Sequence, residues 1–240
     1  MNDPLVRISK LLATRGVCSR READSYLERG LVRVNGRQAV LGERAAVDAE
    51  ITLERTAQVR QAQRLTLLMN KPVGYVSGQP EKGYQSAHVL LTPDRYAGPS
   101  KAPRVRVPAE LAIAGRLDID SQGLLVLTED GRIARLLIGG NSIEKEYLVR
   151  LTHPITDKDL QLLRGPLSLD DKPLRPVQIQ RLGPDYLSMT LTEGRKRQIR
   201  RMLMLIDSEV RGLKRVRIGQ VRLAGLPLGQ WRPLTPGECF

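Results

Sequence analysis

Apolar residues recur at helical spacing in some stretches of the chain and in short strand-like runs in others. In residues 5–53 the spacing starts out helical. Ile8, Leu11 and Leu12 fall on one face of a short helix that ends at Gly16, and Ala23, Tyr26 and Leu27 form the stripe of a second. Ser19-Arg20-Arg21-Glu22 has the form of a capping box opening that second helix, and Gly30 stops it. Residues 31–34 and 37–40 then read as strands joined by a tight Asn35-Gly36 turn, with a further strand signal at Ile51-Thr52-Leu53. The predicted order is helix, helix, hairpin.

From residue 65 short strands dominate, at 65–69, 124–127, 147–151, 177–182 and 186–191. Val177-Gln178-Ile179-Gln180 alternates as a sheet with one covered face would. Helical segments interrupt the strands at 133–138, 157–163 and 196–206, which predicts an α+β domain on a largely antiparallel mixed sheet. The polar run ERTAQVRQAQR at 54–64 has no strong apolar stripe. Residues 56–64 are therefore expected to link a domain at 1–55 to a larger one at 65–240. Residues 92–110 hold Pro93, Pro99, Pro103 and Pro108 with Arg95, Arg104 and Arg106, which disfavours helix and central strand alike. An exposed basic loop is expected there, either contacting RNA or simply tolerating insertion.

Composition narrows the partner. The 240 residues are 41% hydrophobic and 27% charged, an ordinary globular balance. Lys plus Arg number 39 against 26 Asp plus Glu, a net charge of +13 that attracts polyanions, with nucleic acid the leading candidate. Thirty of the basic residues are Arg, whose planar fork grips phosphate with two hydrogen bonds. Cys18 and Cys239 lie far apart and His88 and His153 sit in unrelated segments, so neither zinc spacing nor a disulfide framework is present. No metal site is expected. The longest apolar run, 202–206, is far short of a membrane span, and the start Met1-Asn2-Asp3-Pro4 has no signal-peptide character. A cytoplasmic monomer without membrane contact is expected.

In the first module Arg15, Arg20, Arg21 and Arg33 recur at the element ends, where a phosphate backbone could meet both side chains and the amides of the second helix's N-terminus. A solvated charged face is the alternative. In the larger domain, Gly115-Arg116-Leu117-Asp118-Ile119-Asp120-Ser121-Gln122-Gly123 is a polar loop delivered straight into a buried strand. Asp118 there is a candidate reactive carboxylate or a turn residue. Glu144-Lys145-Glu146-Tyr147 opens a strand in charge and carries a Tyr into the sheet, which on its own is compatible with a half-buried core position. In Glu193-Gly194-Arg195-Lys196-Arg197-Gln198-Ile199-Arg200-Arg201-Met202, the apolar spacing of Ile199, Met202, Leu203 and Ile206 points Arg197 and Arg201 away from the core. Arg200 falls on the flank of that stripe, where it could pair with a half-buried carboxylate. Residues 191–222 carry ten Lys or Arg against three Asp or Glu, the expected phosphate-gripping surface.

Two resemblances follow from these motifs. Arg7-x-x-Lys10-x-Leu12-Ala13, Gly16, Ser19-Arg20-Arg21-Glu22-Ala23 and Gly30-x-Val32-x-Val34-Asn35-Gly36 together resemble the small RNA-binding domain named after ribosomal small-subunit protein four. Asn70-Lys71-Pro72-Val73-Gly74, the Arg116-Leu117-Asp118 loop, Lys145-Glu146-Tyr147 and the segment 193–202 resemble, in order and spacing, the RsuA/RluB/RluE/RluF pseudouridine synthases. Gly140-Asn141-Ser142-Ile143-Glu144-Lys145-Glu146-Tyr147 looks most like the RluF branch. The resemblance implies that a uridine of ribosomal RNA, in the large subunit for that branch, is isomerised to pseudouridine without cofactor or metal. It implies Asp118 as the catalytic aspartate, Tyr147 as the ring against the target uracil, and Arg200 as the ion-pair partner of Asp118. Such a pair would favour the charged form of that carboxylate. Arg116 is implied to fill the space left by a flipped base, with Arg195, Lys196, Arg197, Gln198 and Arg201, and Lys10, Arg15, Ser19, Arg20, Arg21 and Arg33 of the first module, on the RNA. Lys196 departs from the Asn usual in the family, and the stretch between Gly74 and Gly115 is longer than typical. Small-subunit ribosomal RNA, transfer RNA and a non-catalytic RNA chaperone are the alternatives.

Overall fold

The computed structural model of the chain describes residues 4–80, 83–98, 107–108, 111–139 and 143–240. Most of the basic proline-rich stretch, including Arg104 and Arg106, lies outside the described residues, as do 140–142. Contacts group the chain into two units, one of residues 1–66, 108–114 and 128–139, the other of 67–107, 115–127 and 140–240.

The first unit follows the expected order. Helix α1 (Ile8–Thr14) and helix α2 (Arg20–Glu28) bury Ile8, Leu11, Leu12, Ala23, Tyr26 and Leu27 in one cluster. The capping box at α2 is formed in both directions: the Ser19 hydroxyl accepts from the Glu22 amide, and the Glu22 carboxylate accepts from the Ser19 amide. Strand Val32–Val34 pairs antiparallel with both Arg37–Gln38 and Ile51–Leu53. Asn35 and Gly36 take φ of 48° and 80°, as a two-residue hairpin turn with two left-handed positions requires.

The expected linker is different. Residues Arg55–Ala62 form helix α3, whose Ala57 is fully buried in the same cluster. Its second buried side chain, Gln61, accepts from the Tyr26 hydroxyl at 3.0 Å and donates to Asp130 at 3.3 Å. A helix held by one alanine and a hydrogen-bonded amide shows no apolar stripe, which is why the pattern reads as a linker. Helix α4 (Gly131–Gly139) completes the described helices of this unit.

The second unit is built on a mixed sheet. Its main strands are β1 (Thr66–Lys71), β2 (Gln122–Thr128), β3 (Lys145–Leu151), β4 (Gln178–Gly183), β5 (Tyr186–Leu191), β6 (Val210–Ile218) and β7 (Trp231–Pro233). They lie in the order β4-β5-β3-β6-β2-β1-β7. The β4/β5, β5/β3, β3/β6 and β1/β7 pairs are antiparallel and β6/β2 is parallel. Helices α5 (Asp157–Arg164) and α6 (Gln198–Met204) contribute Leu160, Leu163, Ile199, Met202 and Leu203 to a core shared with Met189 and Leu191 of β5. Leu67–Met69 and Leu124–Leu127 are fully buried, as strands covered on both faces are.

Two further findings depart from the sequence pattern. The nine-residue strand β6 was hidden because its run Val210-Arg211-Gly212-Leu213-Lys214-Arg215-Val216-Arg217-Ile218 is rich in charge. Helix α6 begins at Gln198 rather than 196, because Arg197 is left-handed (φ 52°, ψ 33°) and serves as the residue before the first turn. Among the described residues no helix is long and apolar enough to cross a membrane.

Candidate active site

Asp118 stands in the loop that runs into β2, and three contacts hold the backbone around it. The Ser77 hydroxyl accepts from the Leu117 amide at 2.9 Å and donates to the Leu117 carbonyl at 2.7 Å. The Gly74 amide donates to the Ile119 carbonyl at 2.8 Å, and the Asp118 carbonyl closes a turn by accepting from the Ser121 amide at 3.1 Å. The segment Asn70-Lys71-Pro72-Val73-Gly74 thus acts as a brace for the Asp118 loop. Within it, Lys71 is fully buried and donates to the carbonyls of Pro72 and Tyr75 at 2.8 and 2.9 Å. Burial pushes the Lys71 ammonium down to about 8, against the pull of Asp120 and Asp118 and with a further push from Arg215.

The arginine expected on Asp118 is on its neighbour instead. Arg200 Nε lies 3.2 Å from Asp120 Oδ2, and its Nη2 donates to the Asp120 carbonyl at 2.9 Å. A third donor, Nη1, reaches the Val210 carbonyl at 3.0 Å. Arg197 donates to the same Asp120 Oδ2 at 2.8 Å. The flank position of Arg200 does meet a partly buried carboxylate, but two residues beyond the one implied. Partial burial opposes ionisation of Asp120, yet the Arg197 hydrogen bond and the charges of Arg200 and Arg197 outweigh it and hold the carboxyl below its usual range.

Tyr147 is half-buried in β3, where its register partner on β6 is Arg215 and on β5 is Met189. Arg215 belongs to none of the sequence motifs and falls in the 191–222 run expected to grip phosphate, a surface role that its burial rules out. It is 1% exposed, with its guanidinium carbon 6.0 Å from the Tyr147 ring centroid. Its Nε donates to the Leu124 carbonyl at 2.8 Å, and its terminal nitrogens donate to the carbonyls of Gly115 at 2.8 Å and Arg116 at 3.4 Å. The loop before Asp118, the ring of Tyr147 and the start of β2 therefore meet at one guanidinium. The sequence signal for it is indirect: a Gly at 123 in an otherwise apolar strand, where a close backbone approach is expected.

The other predicted contact residues separate into two groups. Arg195 donates to the carbonyls of Leu169, Lys172 and Pro173, tying down the hairpin of strands Ser168–Leu169 and Lys172–Pro173. Arg201 pairs with Asp170 of the same hairpin, and Gln198 is buried between the Arg195 amide and Glu193. In the first unit Arg15 donates to the carbonyls of Val47 and Ala49, Arg33 pairs with Glu54, and Ser19 is used as a cap. These six spend their polar atoms inside the protein. Lys10, Arg20, Arg21, Arg116 and Lys196 are exposed, and among the described residues none has an intramolecular side-chain partner. Arg20 and Arg21 line a cleft of about 540 Å³ in the first unit together with Arg64 and Arg135. Among the described residues no group of three or more His, Cys, Asp or Glu side chains is arranged to hold a metal ion.

Comparison with known proteins identifies the family. A family profile described as RNA pseudouridylate synthase matches residues 65–205. The dual-specificity RNA pseudouridine synthase RluF of Salmonella typhi is 36% identical over the whole chain and 79% of its own length. The ribosomal large subunit pseudouridine synthase B of Shigella flexneri is 31% identical over 95% of this chain and 79% of its own. A crystal structure of a pseudouridylate synthase aligns over 96% of both chains at 26% identity, with a TM-score of 0.64. With its mixed, mostly antiparallel α+β sheet and its full-length relatives, the chain belongs to the RNA pseudouridine synthase family.

Proposed function

We propose that the protein isomerises a uridine of ribosomal RNA to pseudouridine, with the large-subunit RNA as substrate and Asp118 as the reacting carboxylate. The reading rests on one observation above all. The loop carrying Asp118, the ring of Tyr147 and, through Asp120, the Arg200 helix are tied into a single cluster by Arg215, Ser77, Arg197 and Arg200. The names of the RluF and large-subunit relatives favour ribosomal RNA.

The chemistry asks for few parts. The N1–C1′ bond of the uridine breaks, a C5–C1′ bond forms, the C5 proton leaves to water and N1 takes one up. Substrate and product are isomers, so no external oxidant, reductant or group donor enters. A base inside folded RNA hides its glycosidic bond and must be drawn out of the stack. Tyr147 supplies a face for the extruded uracil, and the exposed Arg116, two residues before Asp118, supplies a cation next to the vacated position. Arg200 acts by fixing the far end of the loop through Asp120, rather than by pairing with Asp118.

Residues 1–55 are proposed as the RNA-binding module that resembles the domain named after ribosomal small-subunit protein four, and residues 65–240 as the catalytic domain. Lys10, Arg20 and Arg21, exposed and without a side-chain partner among the described residues, are available to phosphate. Ribosomal RNA as substrate puts the protein in the cytoplasm.

The test is tritium release from in vitro transcribed large-subunit RNA labelled at uridine C5, comparing wild type with Asp118→Asn. Wild type is expected to release label, and the near-isosteric variant to release it at least 1,000-fold more slowly at unchanged melting temperature. Because the RluF relative is a dual-specificity enzyme, small-subunit and transfer RNA serve as parallel substrates. Release only from those would reassign the substrate, and a fully active Asp118→Asn would overturn the mechanism.

A further inference from the structure

We infer that Arg215 is a positioning residue for the isomerisation, one that sets the Asp118 loop and the Tyr147 ring against each other. The inference rests on the proposed roles of Asp118 and Tyr147. It starts from a buried charge. Arg215 is 1% exposed in the middle of a sheet, and among the described residues no carboxylate pairs with it. A buried cation is costly, and apolar side chains of similar volume usually serve a core as well or better. Yet every donor of the guanidinium that has a partner is directed at the strand and loop leading out of or into Asp118. Nε meets Leu124, and the terminal nitrogens meet Gly115 and Arg116, three and two residues before Asp118.

The sheet is shaped to let this happen. Arg215 lies between Gly123 on β2 and Tyr147 on β3 as a direct register partner of both. A Cβ at position 123 would stand 2.2 Å from the Arg215 carbonyl oxygen and 2.7 Å from its amide nitrogen. The glycine thus admits the β6 backbone at close range, which sets Arg215 against the start of β2. On the other side the cation lies 6.0 Å from the Tyr147 ring, within the range of a cation–π contact. One planar group therefore sets the spacing of two others, and its rigid fork suits that task in a way a lysine ammonium does not.

The experiment uses the full chain, the same C5-tritiated large-subunit, small-subunit and transfer RNAs, and single-turnover conditions. Arg215→Lys, which keeps the charge and loses the fork, and Arg215→Met, which keeps the bulk, are compared with wild type and Asp118→Asn. The expected result is a fall of at least 100-fold in the saturating single-turnover rate for Arg215→Lys. Its half-saturating RNA concentration should stay within threefold of wild type and its melting temperature within about 5 °C. Arg215→Met should lose at least as much rate. Three results would overturn the inference: an Arg215→Lys rate within threefold of wild type, a loss seen only as weaker RNA binding, or an Arg215→Lys chain that does not fold at 25 °C, which would make the residue structural. Failure of the underlying reading looks different. Wild type would then release no tritium from any of the three RNAs, or Asp118→Asn would match it.

Discussion

Arg200 is bound to Asp120 by both the side chain and the backbone of that residue, at 3.2 Å and 2.9 Å. With Arg197 on the same carboxylate oxygen, Asp120 is the point at which the α6 end of the molecule holds the loop that presents Asp118. Asp120→Ala removes the carboxylate and leaves Arg200, whose side chain is only 14% exposed, without its counter-charge. Because Asp120 itself is 39% exposed, the expected loss of stability is modest, about 1–2 kcal/mol. The expected loss of single-turnover rate is at least tenfold, since one end of the loop is freed. RNA affinity should hold or rise, because two guanidinium groups become available to phosphate. Urea denaturation and filter binding alongside tritium release measure the three quantities, and an unchanged rate would mean that Ser77, Gly74 and Arg215 suffice to hold the loop.

Gly123→Ala tests the close passage of β6 over β2. Gly123 takes φ of 108°, and the added methyl would meet the backbone of Arg215, which cannot swing aside as a long side chain would. Both the backbone strain and the overlap act against the native state, so a loss of about 3 kcal/mol or more is expected, with poor recovery of folded protein. A stable and active Gly123→Ala variant would show that the two strands can part locally.

What the sequence disclosed and what it hid divide along the range of the interactions. The Ser19/Glu22 box, the Asn35-Gly36 turn and the strand at 186–191 are local, written in three to six consecutive residues, and they stand where expected. The Asp118 loop was legible as a motif, but the contacts that hold it were not. Ser77 and Arg215 reach it across 40 and about 100 residues of chain, and such contacts leave no periodicity. Strand β6 was obscured for a related reason. Its Lys and Arg residues counted towards a basic surface, whereas Arg215 is buried and Arg217 pairs with Glu144 and Glu146. Charge density along a sequence does not distinguish a phosphate-facing arginine from one spent on the protein's own oxygens.

Lys71 predicts a pH dependence of stability with a definite sign. In the unfolded chain its ammonium titrates near 10.5, in the native protein near 8. Between those values the unfolded chain binds a proton that the native protein has shed, so stability rises with pH. The penalty for burying the charged form is complete below about pH 8 and is relieved by about 10.5, for a gain of at most about 3 kcal/mol. Cys18 works the other way above pH 9. Burial, with the nearby Glu22 charge, pushes its thiol up to about 12, so the unfolded chain loses that proton first. Urea midpoints of wild type and Lys71→Met from pH 7 to 10 separate the two. The variant is expected to lack the rising limb and keep the falling one, and a rising limb that survives in Lys71→Met would assign it to another group.

Adjacent residues Arg195 and Lys196 should respond in opposite ways. Arg195 is 25% exposed and supplies the donors for three carbonyls of the 168–173 hairpin. Arg195→Ala leaves those oxygens to water or to nothing, and a loss of about 2 kcal/mol is expected, with RNA affinity falling only as far as the hairpin's disorder carries it. Lys196 is exposed and, among the described residues, has no side-chain partner, so Lys196→Ala should leave the melting temperature within about 1 °C. Its effect belongs to the RNA: weaker binding at low salt, and a slope of log affinity against log salt smaller by a little under one, as expected for a single lost phosphate contact. Titrating wild type and both variants with large-subunit RNA at 50, 100 and 200 mM salt measures that slope. A salt slope altered by Arg195→Ala and untouched by Lys196→Ala would reverse the division of the basic residues into those that build the site and those that face the RNA.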